Sequence, residues 1–263
     1  MLLARIATAA VLIAALLAAL FLLPRPAFLA LVVLIVGASA FEWARLCRMT
    51  GSKPWLYAGL AALLAAIPAY AGAAAPVAAI GVAFWLIVAP LWLARGLHPA
   101  HAELLAAAGF AVLIPAAMAM AVLQPVQLLV SLGLTWVADT AAYFAGRRFG
   151  RHKLAPAISP SKTWEGAAGG VLGTLAYAII CTGALPELKD LSGSAWIAYL
   201  AAALVLCIAS IVGDLFESAA KRQAGVKDSG VLLPGHGGLL DRIDSATCML
   251  PFAALFWPLI GAR

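Results

Sequence analysis

The sequence predicts an all-α integral membrane protein, a polytopic bundle of about nine transmembrane helices. Three observations carry that prediction. The first is composition: 65% of the 263 residues are hydrophobic and 11% are charged, against roughly 45–50% apolar and about 25% charged in an ordinary soluble domain. No soluble globule of this size has interior enough for so much apolar surface, so lipid must be the solvent for most of it. The second is texture. The apolar runs are roughly twenty residues long and do not alternate, which suits helices crossing a bilayer and not barrel strands. In hydrocarbon every backbone donor and acceptor must be bonded within the protein, and a helix does this within one segment. The third is the distribution of charge, which becomes visible once the spans are placed.

Proline, glycine and polar residues punctuate the apolar runs. The first expected span, Ile6–Leu23, follows Arg5 and has the basic start and apolar core of a secretory leader. Its apolar run is long, and Pro24-Arg25-Pro26 stands where a small-x-small cleavage site would be, so it is read as a retained helix. Ala27–Ala44 and Trp55–Ala71 come next, the latter rich in alanine and ending in a turn over Ala71–Pro76. Val77–Ala94, Leu104–Leu123, Val126–Ala145, Gly166–Leu185, Ala195–Phe216 and Asp241–Ile260 complete the expected set. Residues 1–125 form an N-terminal set of helices and 126–263 a C-terminal set, within one integrated membrane domain. No internal repeat or soluble domain is visible. Cys47, Cys181, Cys207 and Cys248 form no CxxC or Cys/His cluster and read as small apolar helix residues.

Nine spans put the termini on opposite faces. The second, fourth, sixth and eighth connections then share a face with the C-terminus. That face collects every one of the 17 basic residues except Arg5, Arg25 and Lys189. Positive residues stay inside. The basic face is therefore cytoplasmic, the N-terminus outside and the C-terminus inside, in a bacterial-type inner (cell) membrane. The net charge of +6 reads as topology and attraction to anionic lipid; nothing suggests a nucleic-acid partner. The tryptophans, Trp43, Trp55 and Trp92 among them, read as interface anchors or core.

Of the 11 acidic residues, Asp139, Glu165, Asp214, Glu217, Asp228, Asp241 and Asp244 fall in the cytoplasmic half or its loops. A carboxylate at the centre of a membrane helix costs about 2.5–3.5 kcal/mol on insertion scales, so such residues usually have a function. Glu42 and Glu103 are read as helix-end charges reaching the interface. Asp214, Glu217, Ser218 and Lys221 share one helical stripe, and Asp241 and Asp244 share another. Two helix ends joined by a loop bring carboxylate oxygens together, as a hard cation requires. Lys221, Arg222, Lys227 and Arg242 surround the same place and suit a metal–polyphosphate complex. Gly235, Gly237 and Gly238 run into a helix start, where backbone N–H groups and the dipole favour phosphate. His236 is left open between phosphate contact, acid–base work and a structural hydrogen bond.

This segment resembles the signature of phosphatidate cytidylyltransferases, also called CDP-diacylglycerol synthases. Ser218, Lys221-Arg222, Lys227-Asp228, His236-Gly237-Gly238 and Asp241-Arg242-Ile243-Asp244 stand at the family's spacing, and Ala220 departs from it where a larger apolar residue is usual. Upstream, Asp139-Thr140-Ala141-Ala142-Tyr143 and Ser159-Pro160-Ser161-Lys162-Thr163-Trp164-Glu165-Gly166 are similar to two further family segments. The resemblance covers about Asp139 to Asp244; the first five helices match only in being apolar and similar in number. It implies a reaction of phosphatidic acid with CTP that gives CDP-diacylglycerol and pyrophosphate, in a membrane of substrate lipids. It implies Mg2+ on Asp214, Asp241 and Asp244, with Asp228 a weaker ligand and room for a second cation. Catalytic roles fall to Asp214, Lys221, Asp241 and Asp244. Substrate contacts fall to Ser159, Lys162, Thr163, Ser218, Arg222, Lys227, His236, Gly237, Gly238 and Arg242. Arg147, Arg148, Arg151 and Lys153 read as headgroup contacts, and the role of Asp139 stays open. Enzymes of this kind can form homodimers. A polar cleft among the sixth to ninth helices is expected, open to both cytosol and bilayer. The rivals are a CTP-dependent polyprenol or phytol kinase, and an ion-coupled transporter built on intramembrane carboxylates.

Overall fold

The computed structural model describes residues 2–189, 191, 193–232 and 237–260, with residues 2–9 described by their backbone alone. Nine long helices lie among the described residues: α1 Leu2–Phe21, α2 Arg25–Leu46, α3 Lys53–Tyr70, α4 Ala74–Arg95, α5 Ala102–Val122, α6 Pro125–Phe149, α7 Trp164–Ala184, α8 Ser194–Ala224 and α9 Leu240–Leu259. The expected all-α polytopic class holds. By length and apolarity, α2 and α4 to α8 are six helices able to cross a bilayer. The described side chains of α1, Ala10–Phe21, form a shorter apolar stretch; α3 and α9 fall short of that measure, α9 because it opens on Asp241, Arg242 and Asp244.

Prolines set several helix starts. Pro26, Pro54 and Pro125 sit in the first turns of α2, α3 and α6, where their missing N–H is not needed. The departure from an all-helical chain is a small hairpin between α6 and α7. Lys153–Ala155 (β1) pairs antiparallel with Ser159–Thr163 (β2), Lys153 opposite Thr163 and Ala155 opposite Ser159. The sequence alone predicts a loop here. The α6–α7 pair beneath it is built on small residues. A Cβ on Gly169 would collide with Ala145, and one on Gly173 would lie 2.6 Å from Ala141 Cβ. Such backbone-close contacts supply the packing that the hydrophobic effect cannot supply in lipid.

The C-terminal half of α8 is fixed by Phe216, which is fully buried. A π-helical turn over Phe84–Val88 in α4 turns two consecutive aromatics, Phe84 and Trp85, into the core. Their rings stand edge-on to Phe216 at 5.7 and 5.5 Å, and Trp92 at 5.9 Å and Trp43 at 6.3 Å complete the surround. Trp43 Nε1 donates to Leu105 O at 2.8 Å, tying α2 to α5 behind the same cluster. Phe216→Ala is expected to cost about 3–5 kcal/mol, as a large aromatic removed from a close-packed site does. A melting temperature in detergent equal to that of the parent protein would contradict that role for the cluster.

Candidate active site

The carboxylates of α6, α8 and α9 converge. Gly213 makes the convergence possible, because a Cβ there would lie 2.7 Å from Asp244 O and 2.9 Å from Cys248 Cβ. The α8 and α9 backbones thus touch one residue before Asp214 and at Asp244. Asp139, Asp214 and Asp244 lie within electrostatic reach of one another, and Glu217 stands beside Asp244. Glu217 Oε1 is buried without a donor. Lys162, from β2, forms an ion pair with Asp214 at 2.5 Å, and Ser218 Oγ donates to the other oxygen of Asp214 at 3.2 Å. The hairpin therefore delivers Lys162 into the acidic cluster.

Asp241 faces a different set of partners. Its Oδ1 meets Lys221 Nζ at 2.7 Å, and its Oδ2 accepts from Gly238 N at 2.8 Å, Ser229 N at 2.9 Å and Ser229 Oγ at 3.0 Å. Lys221 also reaches Glu217 Oε2 at 3.0 Å, so one buried ammonium joins the acidic cluster to the loop before α9. Among the described residues, no three His, Cys, Asp or Glu side chains converge on one metal-ligating point.

Several of the expected residues have partners within the protein. Asp241, expected on the metal with Asp214 and Asp244, has both oxygens on Lys221 and loop donors. Lys221, expected to hold phosphate, is 8% exposed and engaged by two carboxylates. Thr163, expected at substrate, is buried and caps α7 by accepting from Gly166 N at 3.1 Å. Ser218 is likewise buried and supports Asp214. The expected phosphate cradle at the start of α9 is filled by the protein's own carboxylates. Gly238 N serves Asp241, and Leu239 N and Leu240 N donate to Glu42 at 3.0 and 2.8 Å. A helix start takes one anion well, and here it is Glu42. Glu42 is therefore not a helix-end charge reaching the interface: it is 5% exposed. Gly237, with φ +82°, provides a left-handed turn whose Cβ would crowd Asp241 Oδ2 at 2.8 Å.

Other expected contacts stay available. Lys227 and Asp228 are exposed in the loop after α8, and Ser159 is half-buried at the start of β2. Arg222 is exposed, with its guanidinium on Ile158 O at 3.3 Å and Val226 O at 3.2 Å. Arg242 is exposed and lines a cavity. His236, Pro234 and Gly235 lie outside the described residues. Glu165 holds the turn before the hairpin, accepting from Arg151 N at 3.1 Å and meeting His152 Nδ1 at 2.6 Å.

One cavity, of about 450 Å3, reaches this cluster. Its walls come from α1, α2, α5, α6 and α9, with α7 and α8 absent, so the N-terminal helices help to build the site. Leu16, Val36, Ala116 and Leu132 line its apolar part, and Asp139, Arg242 and Asp244 its polar end.

The chain is similar to known proteins over most of its length. A phosphatidate cytidylyltransferase of Pseudomonas aeruginosa is 39% identical over 96% of this chain and 96% of its own length. One from Haemophilus influenzae is 44% identical over 47% of this chain and 43% of its own length. One from Thermotoga maritima is 41% identical over 50% and 49%. The model of the cytidylyltransferase family matches residues 3–260, and the chain belongs to that family.

Proposed function

We infer that this chain transfers the cytidylyl group of CTP to phosphatidic acid, giving CDP-diacylglycerol and pyrophosphate, in a multi-pass membrane setting. Family membership and the name shared by its relatives support the reaction. One observation supports its location: Asp139 and Asp244 stand with Arg242 at the polar end of an apolar cavity, and Asp214 and Glu217 adjoin them. A lipid phosphate needs both environments. The acyl chain passes from bilayer to apolar wall without entering water, so packing and not the hydrophobic effect holds it there while the headgroup is presented to Arg242. A guanidinium suits a phosphate because its planar donors match two oxygens at once.

In the reaction, an oxygen of the lipid phosphate forms a bond to the α-phosphorus of CTP. The bond from that phosphorus to the bridging oxygen of pyrophosphate breaks, and its electron pair leaves with pyrophosphate. Both reactants are anions, so the chain must offset repulsion as they meet. Arg242 holds the lipid phosphate; Lys227 and Arg222, exposed on the cytoplasmic side in this reading, meet the triphosphate. Lys162 keeps Asp214 oriented from the hairpin.

The donor set fits a magnesium ion. Asp139, Asp214, Glu217, Asp241 and Asp244 are five carboxylates whose named cationic partners are Lys162 and Lys221, and Glu217 Oε1 lacks a donor. Magnesium usually takes one or two carboxylates and completes its shell with water and substrate phosphates, so a closed protein cage is not required. Asp214 and Asp244 would hold it, with Asp139 beside them; Asp241 and the exposed Asp228 fall outside this set. When bound, the ion neutralises charge developing on the phosphates. Purified protein given phosphatidic acid and CTP labelled at the α-phosphate should transfer label to lipid, dependent on magnesium and matched by released pyrophosphate. Label reaching the lipid only from the γ-phosphate would make the chain a kinase instead.

A further inference from the structure

Glu42 lies in α2, far in sequence from the catalytic segment, yet its carboxylate is enclosed by it. Oε1 accepts from Leu239 N at 3.0 Å; Oε2 accepts from Leu240 N at 2.8 Å and Ser229 Oγ at 2.9 Å. The surrounding chain is shaped to admit it. A Cβ on Gly230 or Gly238 would collide with the Glu42 carboxylate. The end of α2 is also latched to α8: Arg48 donates to Gln223 O at 2.9 Å and Gln223 Nε2 to Leu46 O at 2.8 Å.

The link to the site runs through Ser229. Its hydroxyl stands 2.9 Å from Glu42 Oε2 and 3.0 Å from Asp241 Oδ2, so its single proton serves one carboxylate at a time, while Ser229 N donates to Asp241 Oδ2 at 2.9 Å. Asp241 in turn meets Lys221, and Lys221 meets Glu217 of the acidic cluster. We propose that Glu42 is a positioning residue of the active site, fixing Ser229 and the Leu239–Leu240 start of α9 and, through Ser229, the orientation of Asp241 toward Lys221. It touches no reactant. It sets the start of α9, and thereby Arg242 and Asp244, from a helix outside the catalytic half of the chain. This rests on the proposed cytidylyl transfer.

Every donor around Glu42 is an N–H or O–H, so an amide at this position must turn a donor toward a donor. Glu42→Gln therefore releases part of the segment without changing side-chain size. A displacement of about 1 Å in a catalytic group costs roughly 10²-fold in rate. The expected result for Glu42→Gln is a hundredfold lower kcat per folded molecule, with KM for CTP within threefold of the parent and unchanged gel-filtration behaviour. Glu42→Asp keeps the charge but falls one methylene short, and its kcat should be intermediate. Ser229→Ala should lose about tenfold, and the Glu42→Gln/Ser229→Ala double variant no more than Glu42→Gln alone. Independent of activity, tryptic cleavage after Lys227 should accelerate at least tenfold in Glu42→Gln relative to cleavage after Arg151 in the same sample. Parent protein that transfers no cytidylyl group strikes the proposed function, and the cleavage ratio still decides the role of Glu42. An unchanged cleavage ratio, a Glu42→Gln kcat within threefold of the parent, or losses that multiply in the double variant would each overturn it.

Discussion

Asp244→Asn is expected to lower kcat by at least a thousandfold while leaving the protein inserted and folded. Asp244 lies where three features meet. Its carboxylate faces Glu217 and Asp214, its backbone carbonyl touches Gly213 of α8, and it lines the polar end of the apolar cavity. An amide has nearly the same shape, and Ser245 N, 2.7 Å from Oδ1, can keep its acceptor. What the substitution removes is an anionic oxygen in a low-dielectric site whose task is to gather cationic charge around phosphates. Losing one preorganised electrostatic group typically costs about 10²–10³-fold, and losing a cation with it costs more. The two effects separate experimentally. If Asp244 helps to hold magnesium, the activity left in Asp244→Asn should need a much higher magnesium concentration for half-saturation. Residual activity within tenfold of the parent, with an unshifted magnesium dependence, would remove Asp244 from that role.

Much of this site was legible in the sequence because its chemistry is local. Asp214, Glu217, Ser218 and Lys221 fall on one stripe at helical spacing, and the structure uses that stripe: Ser218 meets Asp214 and Lys221 meets Glu217, each four residues apart. The helices were legible for a similar reason, since apolar length in lipid leaves few alternatives. Long-range partners were not legible. Nothing near Glu42 in sequence distinguishes a carboxylate that reaches the interface from one that clasps a loop some 190 residues onward. The glycines of 237 and 238 pointed toward phosphate, a reasonable inference from a helix start, but the donors there are taken by Asp241 and Glu42. Composition also concealed the hairpin: Ser159–Thr163 is polar and contains a proline, and its pairing with Lys153–Ala155 follows from the geometry between α6 and α7. Asp139 stood apart from the signature segment, and its place beside Asp214 and Asp244 follows from helix packing.

That packing leads to the second large effect. Gly213→Leu is expected to abolish turnover, falling at least a thousandfold, and to lower the melting temperature as well. The Cβ of any other residue at 213 meets Asp244 O at 2.7 Å and Cys248 Cβ at 2.9 Å, with Ser245 O at 3.3 Å. Two of these three are backbone atoms of α9 and cannot rotate away. The helices must separate, and Asp214 on one then moves from Asp244 on the other. Interfaces between membrane helices rely on small residues for this reason. Gly213→Ala adds only the Cβ and should give an intermediate loss, because a shift of a few tenths of an ångström relieves part of the overlap. The graded series separates geometry from simple loss of folded protein. If kcat per folded molecule declines from glycine through alanine to leucine, the spacing between α8 and α9 sets the rate. If Gly213→Leu turns over at the parent rate once folded protein is counted, close approach of the two helices is not what assembles the acidic cluster.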